Sequence, residues 1–77
     1  MINLNYDKTY DVLYIGFLDR SNSVGDESDD GDVIFRDRLT HEITGVTIFD
    51  FKEKLTEGRL PSLPYAYDYC RDVVPLV

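Results

Sequence analysis

Asp11-Val12-Leu13-Tyr14-Ile15-Gly16-Phe17-Leu18 decides the fold of this chain. At a period of two, Val12, Tyr14 and Leu18 fall on one side and Leu13, Ile15 and Phe17 on the other. Both sides are apolar, as in a strand covered on both faces. One cover is a helix. The second has to be the C-terminal tail or another subunit.

The neighbouring segments extend this into a sheet. Ile2, Leu4 and Tyr6 alternate with Asn3 and Asn5, the pattern of a half-buried strand. Asp7-Lys8-Thr9 is turn material, so residues 2–6 and 11–18 read as a hairpin. Asp19 to Ser23 is a polar loop, and Val24 opens a short edge strand. Gly25 to Asp32 is an acidic, Gly-bounded stretch. Val33-Ile34-Phe35-Arg36 reads as a strand and Asp37 to Glu42 as a polar connection. Ile43-Thr44-Gly45-Val46-Thr47-Ile48-Phe49 is rich in β-branched and aromatic residues and forms another strand.

Asp50, with Glu53 three residues on, has the form of a helix capping box. Phe51 and Leu55 share one helix face. Gly58 is a natural stop, and Pro61 forbids continuation. Residues 51–57 therefore read as a helix of two turns. It must dock, because isolated helices this short are not stable in water. Pro61, Pro64 and Pro75 punctuate the rest. Tyr65, Tyr67 and Tyr69 alternate there with strand spacing, or as an extended arm. The expected fold is α+β. It is a small, mainly antiparallel sheet of four to five strands, with one short helix after the last strand and an irregular C-terminal tail. Residues 1–58 form the β-rich domain, and residues 59–77 a tail packed on it or on a partner.

The shared elements Tyr6-Asp7, Asp11-Val12-Leu13-Tyr14-Ile15, the acidic pair before Gly31, and Gly45-Val46-Thr47-Ile48 before a short helix carry a resemblance. Over residues 3–55 the chain resembles the DUF2283 family, a widespread prokaryotic family of short uncharacterised proteins. The resemblance implies a small β-sheet domain with a terminal helix. It also implies an antitoxin-like role, as companion of a small toxin-like protein, and no established activity. After Leu55 the chain departs from the family, and its Tyr- and Pro-containing tail is an addition.

The chain has 77 residues, enough for one domain. A core of this size supplies only about 3–5 kcal/mol, so small domains usually need a staple. The single cysteine, Cys70, excludes an intrachain disulfide. One Cys and one His, His41, do not make a zinc site of the usual kind. Association is the remaining staple, as a homodimer or with another protein. The net charge of −7, from 15 acids and 8 bases, argues against direct nucleic-acid binding, which needs clustered Lys and Arg. It steers the chain toward basic surfaces. The opening Met1 to Asp7 lacks the basic and apolar regions of a signal peptide. The longest apolar run, Val12 to Leu18, is far short of the ~20 residues that span a bilayer. A cytoplasmic location follows as the default, with no membrane partner.

Asp26-Glu27-Ser28-Asp29-Asp30-Gly31-Asp32 is the sharpest local feature, with five carboxylates and no base. It has three readings. The first is a solvated turn. The second is a docking surface for a basic protein, with salt-sensitive association. The third is calcium. Asp26, Ser28 and Asp30 take positions 1, 3 and 5 of an EF-hand loop, Gly31 position 6 and Asp37 position 12. Against it, Ser23-Val24-Gly25 does not end an incoming helix, Val33 to Arg36 reads as a strand, and Asp37 is shorter than the usual bidentate Glu.

His41, in Thr40-His41-Glu42, has no evident catalytic partner and reads as a surface residue. Cys70 reads as a small residue packed under the tail. Asp7 and Asp11 flank a tight turn and read as its caps rather than as an acid–base pair. Tyr6, Tyr10 and Tyr14 belong to the core or its edge. Tyr65, Tyr67 and Tyr69 cover either the open sheet face or a partner.

The reading that results is a non-catalytic acidic interaction module, antitoxin-like or inhibitor-like, that needs no cofactor. Its basic partner is engaged by Asp26, Glu27, Asp29, Asp30 and Asp32 together with Tyr65, Tyr67 and Tyr69. A phage-encoded inhibitor of a nucleic-acid-binding enzyme fits the same description. The rivals are a Ca²⁺-binding protein using loop 26–37 and a self-associating domain.

Overall fold

Two hairpins and one central strand make the sheet. The computed structural model describes residues 2–77. Strands β1 (Asn3–Asp7) and β2 (Val12–Gly16) form the first hairpin, and β3 (Ser23–Glu27) and β4 (Val33–Asp37) the second. Strand β5 (Ile43–Phe49) lies between them, giving the order β1-β2-β5-β4-β3. Every neighbouring pair is antiparallel. The α+β architecture is therefore as expected. β5 is the longest strand and is buried from Thr44 to Ile48, because it alone has a neighbour on both sides from different hairpins.

The β1–β2 and β4–β5 turns are built alike. Asp7 accepts hydrogen bonds from the Thr9 and Tyr10 N–H groups at 2.9 and 3.2 Å. Asp37 does the same for Leu39 and Thr40 at 2.8 and 3.0 Å. These bonds, from Thr40 first and Leu39 second, hold the Asp37 carboxyl below the usual carboxylate range. Four residues on, Asp11 and His41 each take the left-handed conformation, with φ of 56° and 66°. The Asp side chain supplies the turn's acceptor in both cases.

The core lies on one face of the sheet. Leu13, Ile15 and Phe17 of β2 and its extension meet Val46 and Ile48 of β5, and Phe51 and Val73 close over them. Helix α1 (Phe51–Glu57) follows β5 directly and contributes Phe51, with Leu55 packed at its edge.

The helix start corrects the capping-box expectation. Asp50 is left-handed, with φ 55°, and its side chain makes no cap bond. A side-chain cap needs extended backbone at that position, and here the chain spends Asp50 on the turn from β5. Asp11 caps the helix instead, from the other end of the sheet sequence. Its carboxylate accepts from the Lys52 N–H at 3.0 and 3.2 Å, and its C=O from the Phe51 N–H at 3.1 Å. At the far end Gly58 is left-handed, and the Arg59 N–H reaches the Lys54 C=O at 2.9 Å. That is the glycine stop the sequence indicates.

The tail is not an extended arm. Tyr65 and Ala66 are both left-handed, with φ of 60° and 57°, which breaks the strand spacing of its tyrosines. A π-helical turn (Tyr69–Val73) and a 3-10 turn (Val74–Leu76) follow. Asp68 starts the first by accepting from the Arg71 N–H at 2.9 Å. Val73 is fully buried, so tail and domain share one core.

Tail and helix lie on the same face of the sheet. The other face carries Val12, Tyr14, Thr47, Phe49, Val33 and Phe35; neither helix nor tail lies on it, yet Val12 and Thr47 are buried and Arg20 lies over the Phe35 ring at 5.0 Å. Tyr14 is 39%, Phe49 42% and neighbouring Leu18 45% exposed. The second cover expected for β2 is thus not supplied by the tail. Two smaller expectations are also corrected: Tyr10 is 75% exposed rather than core, and Cys70 is exposed rather than packed under the tail.

Candidate functional site

The acidic stretch is divided by the fold into a strand, a turn and a buried residue. Asp26 and Glu27 end β3 and are exposed. Ser28 then closes the turn. Its N–H donates to the Asp32 C=O at 2.7 Å, and its hydroxyl accepts from the Asp32 N–H at 3.2 Å. Gly31 permits this with φ 86°, a conformation that costs other residues energy. Asp29 and Asp30 stand exposed at the tip.

Asp32 points inward and is 1% exposed. Its carboxylate accepts a 2.6 Å hydrogen bond from Lys54 Nζ, which also donates to the Asp30 C=O at 2.8 Å. Lys54 itself is 2% exposed. Asp32 therefore leaves the set of partner-binding residues, because no partner can reach it. The signal for this was in the helix. Lys54 lies three residues after Phe51 and next to Leu55, on the stripe that faces the core. A lysine there needs a buried acceptor.

A second base reaches the stretch from the end of α1. Arg59 contacts Asp30 at 3.2 Å and Glu57 at 2.6 Å, with all three side chains 40–48% exposed. Such exposed pairs contribute little, about 0–1 kcal/mol. Asp26, Glu27 and Asp29 have no ion pair among the described residues. They form the accessible part of the candidate site, with Asp30 beside them.

The tail tyrosines are occupied within the chain. The rings of Tyr65 and Tyr67 stand edge-on to Phe17 at 5.6 and 5.5 Å, and Tyr69 lies 6.2 Å from Phe51. The Tyr69 hydroxyl donates to the Pro61 C=O at 2.6 Å, and that of Tyr65 to the Ile43 C=O at 2.8 Å. Burial pushes the Tyr69 phenol far up, with the Asp32 charge adding to it. Burial also raises Tyr67, helped by Asp72. Tyr67 and Tyr69 are thus sheet-covering residues rather than partner contacts. Tyr65, 53% exposed, is the most accessible of the three, while Tyr67 and Tyr69 are half-buried.

The calcium reading fails on geometry. Asp26 lies opposite Ile34 and Asp37 opposite Ser23. The two ends of the supposed loop are three ladder steps apart, about 10 Å. Asp37 is also committed to its own turn, and Ser28 and Asp30 lie at the opposite end of the hairpin from it. Among the described residues no group of three or more His, Cys, Asp or Glu side chains gathers as a metal site would need.

His41 is exposed within the β4–β5 turn and Cys70 within the tail's π-helical turn. No hydrogen bond among the described residues joins them. Asp7 caps its turn as expected, whereas Asp11, also expected to cap that turn, caps helix α1 instead.

Asp11 also accepts from the Tyr6 hydroxyl at 2.6 Å. That bond, burial and the charges of Asp11 and Asp7, in that order, push the Tyr6 phenol from 10.0 up to about 12. A raised pKa in the fold favours the protonated form. This contribution is therefore complete below the unfolded value of 10.0 and is lost as pH rises through about 12. Titration of tyrosinate absorbance should show delayed ionisation of Tyr6, Tyr67 and Tyr69, of which that of Tyr6 moves down in Asp11→Asn. Asp11→Ala should cost about 2 kcal/mol in urea unfolding, since it removes the helix cap and the Tyr6 acceptor together.

No helix among the described residues is long and apolar enough to cross a membrane. Comparison with family models, with curated proteins and with solved structures finds no match to this chain.

Proposed function

We propose that the protein is a non-catalytic, acidic interaction module of the cytoplasm, antitoxin-like or inhibitor-like, whose partner is a basic protein. One observation carries this reading: folding neutralises Asp32 and part of Asp30 but leaves Asp26, Glu27 and Asp29 exposed and unpaired at one end of the outermost strand. Clustered carboxylates of this kind speed association with a basic surface and reject acidic ones. They can also occupy the phosphate-binding surface of a nucleic-acid enzyme, which makes such an enzyme a suitable target. The likeness to DUF2283 proteins, resting on the quoted residues, agrees with a companion role.

Tagged protein passed through host lysate tests the reading. A stoichiometric basic protein retained at low salt and released at high salt is the expected result. An empty column at low salt would remove it. A second reading, self-association, draws on the uncovered face of Tyr14, Leu18 and Phe49. It has the opposite salt signature, because two chains of charge −7 repel less as salt rises. Light scattering across a salt series separates the two.

A further inference from the structure

We infer that β3 is the docking edge for an extended basic segment, which adds to the sheet as a sixth strand beside Ser23–Glu27. The inference rests on the basic-partner reading above and specifies how that partner binds.

The first observation is the phase of the β3–β4 ladder. In an antiparallel pair, opposed residues alternate between those that exchange backbone hydrogen bonds and those that do not. The Arg38 N–H donates to the Asn22 C=O at 2.9 Å and the Ser28 N–H to the Asp32 C=O at 2.7 Å, at the two ends of the ladder. Both bonds fall on the same alternation, which makes Val24–Arg36 and Asp26–Ile34 the bonded pairs. Ser23, Gly25 and Glu27 consequently turn their N–H and C=O groups away from the sheet. The Ser23 N–H is taken by the Arg20 C=O at 3.1 Å. Among the described residues nothing bonds the backbone groups of Gly25 and Glu27.

The second observation is that acidic charge alone guards the edge: Asp26 and Glu27 repel an acidic strand but not a basic one. Exposed edges are usually blunted by proline, lysine, a bulge or a covering segment. β3 has no proline or lysine, and Val24 to Glu27 are all exposed. The irregularity next to it lies between β4 and β5, not along β3. The opposite edge differs: near β1, Leu4, Asn5 and Tyr6 line a depression of about 360 Å³ shared with Pro75, Leu76 and Val77 of the tail.

Charge selects the occupant. Asp26 lies opposite Ile34, whose side chain packs against the core, so it projects on the helix-bearing face; Glu27 projects on the other. An added strand would place side chains beside both. Opposite charge there is stabilising and like charge destabilising. A second copy of this chain brings another −7. A segment with two adjacent bases, Lys or Arg, flanked by β-branched residues sets one base on each face, meets both carboxylates and keeps strand propensity.

The test uses two synthetic peptides with an adjacent Lys-Lys pair set among Val and Thr. One is unmodified. The other carries N-methyl groups on consecutive backbone nitrogens, which keeps every charge but blocks strand pairing along both edges. Binding is followed by fluorescence polarisation and by amide hydrogen exchange of the full chain. The expected result is that the unmodified peptide binds and slows exchange at Gly25 and Glu27, while the methylated one binds at least about tenfold more weakly, for two or more lost hydrogen bonds. Equal binding of both peptides, equally salt-sensitive, would overturn strand addition and leave the acidic-module reading standing. No binding of either at low salt would overturn both. Slowed exchange at Gly25 and Glu27 that grows with protein concentration, without peptide, would assign the edge to a second copy and overturn the inference.

Discussion

Lys54→Met is expected to abolish the cooperative unfolding transition of this protein in urea. The Lys54 ammonium holds the Asp32 carboxylate at 2.6 Å and the Asp30 C=O at 2.8 Å, with both side chains almost wholly shielded from water. Removing one member of a buried pair leaves an uncompensated charge, at a cost of about 3–5 kcal/mol. A domain of this size has about that much stability in total. The double variant Lys54→Met with Asp32→Asn removes the charge as well as its partner, and it should regain a transition. Buried ion pairs can often be exchanged for neutral groups at little net cost. If the double variant is no more stable than the single one, Lys54 acts through the packing of its stem and not through the pair.

Phe51→Ala carries the second large effect. The ring is 1% exposed, edge-on to Tyr6 at 5.9 Å and 6.2 Å from Tyr69. It joins the first strand, the helix and the tail, and truncating such a residue costs about 3–5 kcal/mol. Phe51→Leu should cost less, about 1–2 kcal/mol, and stay folded enough to measure. In that variant the tail should become more sensitive to protease than the sheet, because Tyr69 loses the ring it packs on. Protease cutting first in β3 or β4 would show that the tail is anchored by Val73 and Phe17 without help from Phe51.

These two residues also mark what the sequence discloses and what it conceals. The strands were legible because Leu13, Ile15, Phe17, Val46 and Ile48 alternate cleanly and the turn residues lie between them. The helix was legible from Phe51, Leu55 and Gly58. Its cap was not, because Asp11 is 41 residues from Lys52 in sequence and only the closed sheet brings them together. The same holds for the site. Asp32 looks like its neighbours in a run of carboxylates, and only the long-range pairing with Lys54 takes it out of solvent. The tail tyrosines followed strand spacing, but left-handed backbone at Tyr65 and Ala66 folded them back onto Phe17 and Phe51. Local pattern was informative where the partner of each residue was local. It failed where the partner lay on another element.

The division of one acidic run into a buried structural member and an exposed binding set is the centre of this account. Partner capture and urea unfolding, measured side by side on Asp26→Asn/Glu27→Gln/Asp29→Asn and on Asp32→Asn, test it most directly. The triple variant should unfold like the wild type but no longer retain the salt-released partner, and Asp32→Asn should be destabilised while its folded fraction still retains it. A triple variant that holds the same partner at unchanged strength in low salt would contradict it.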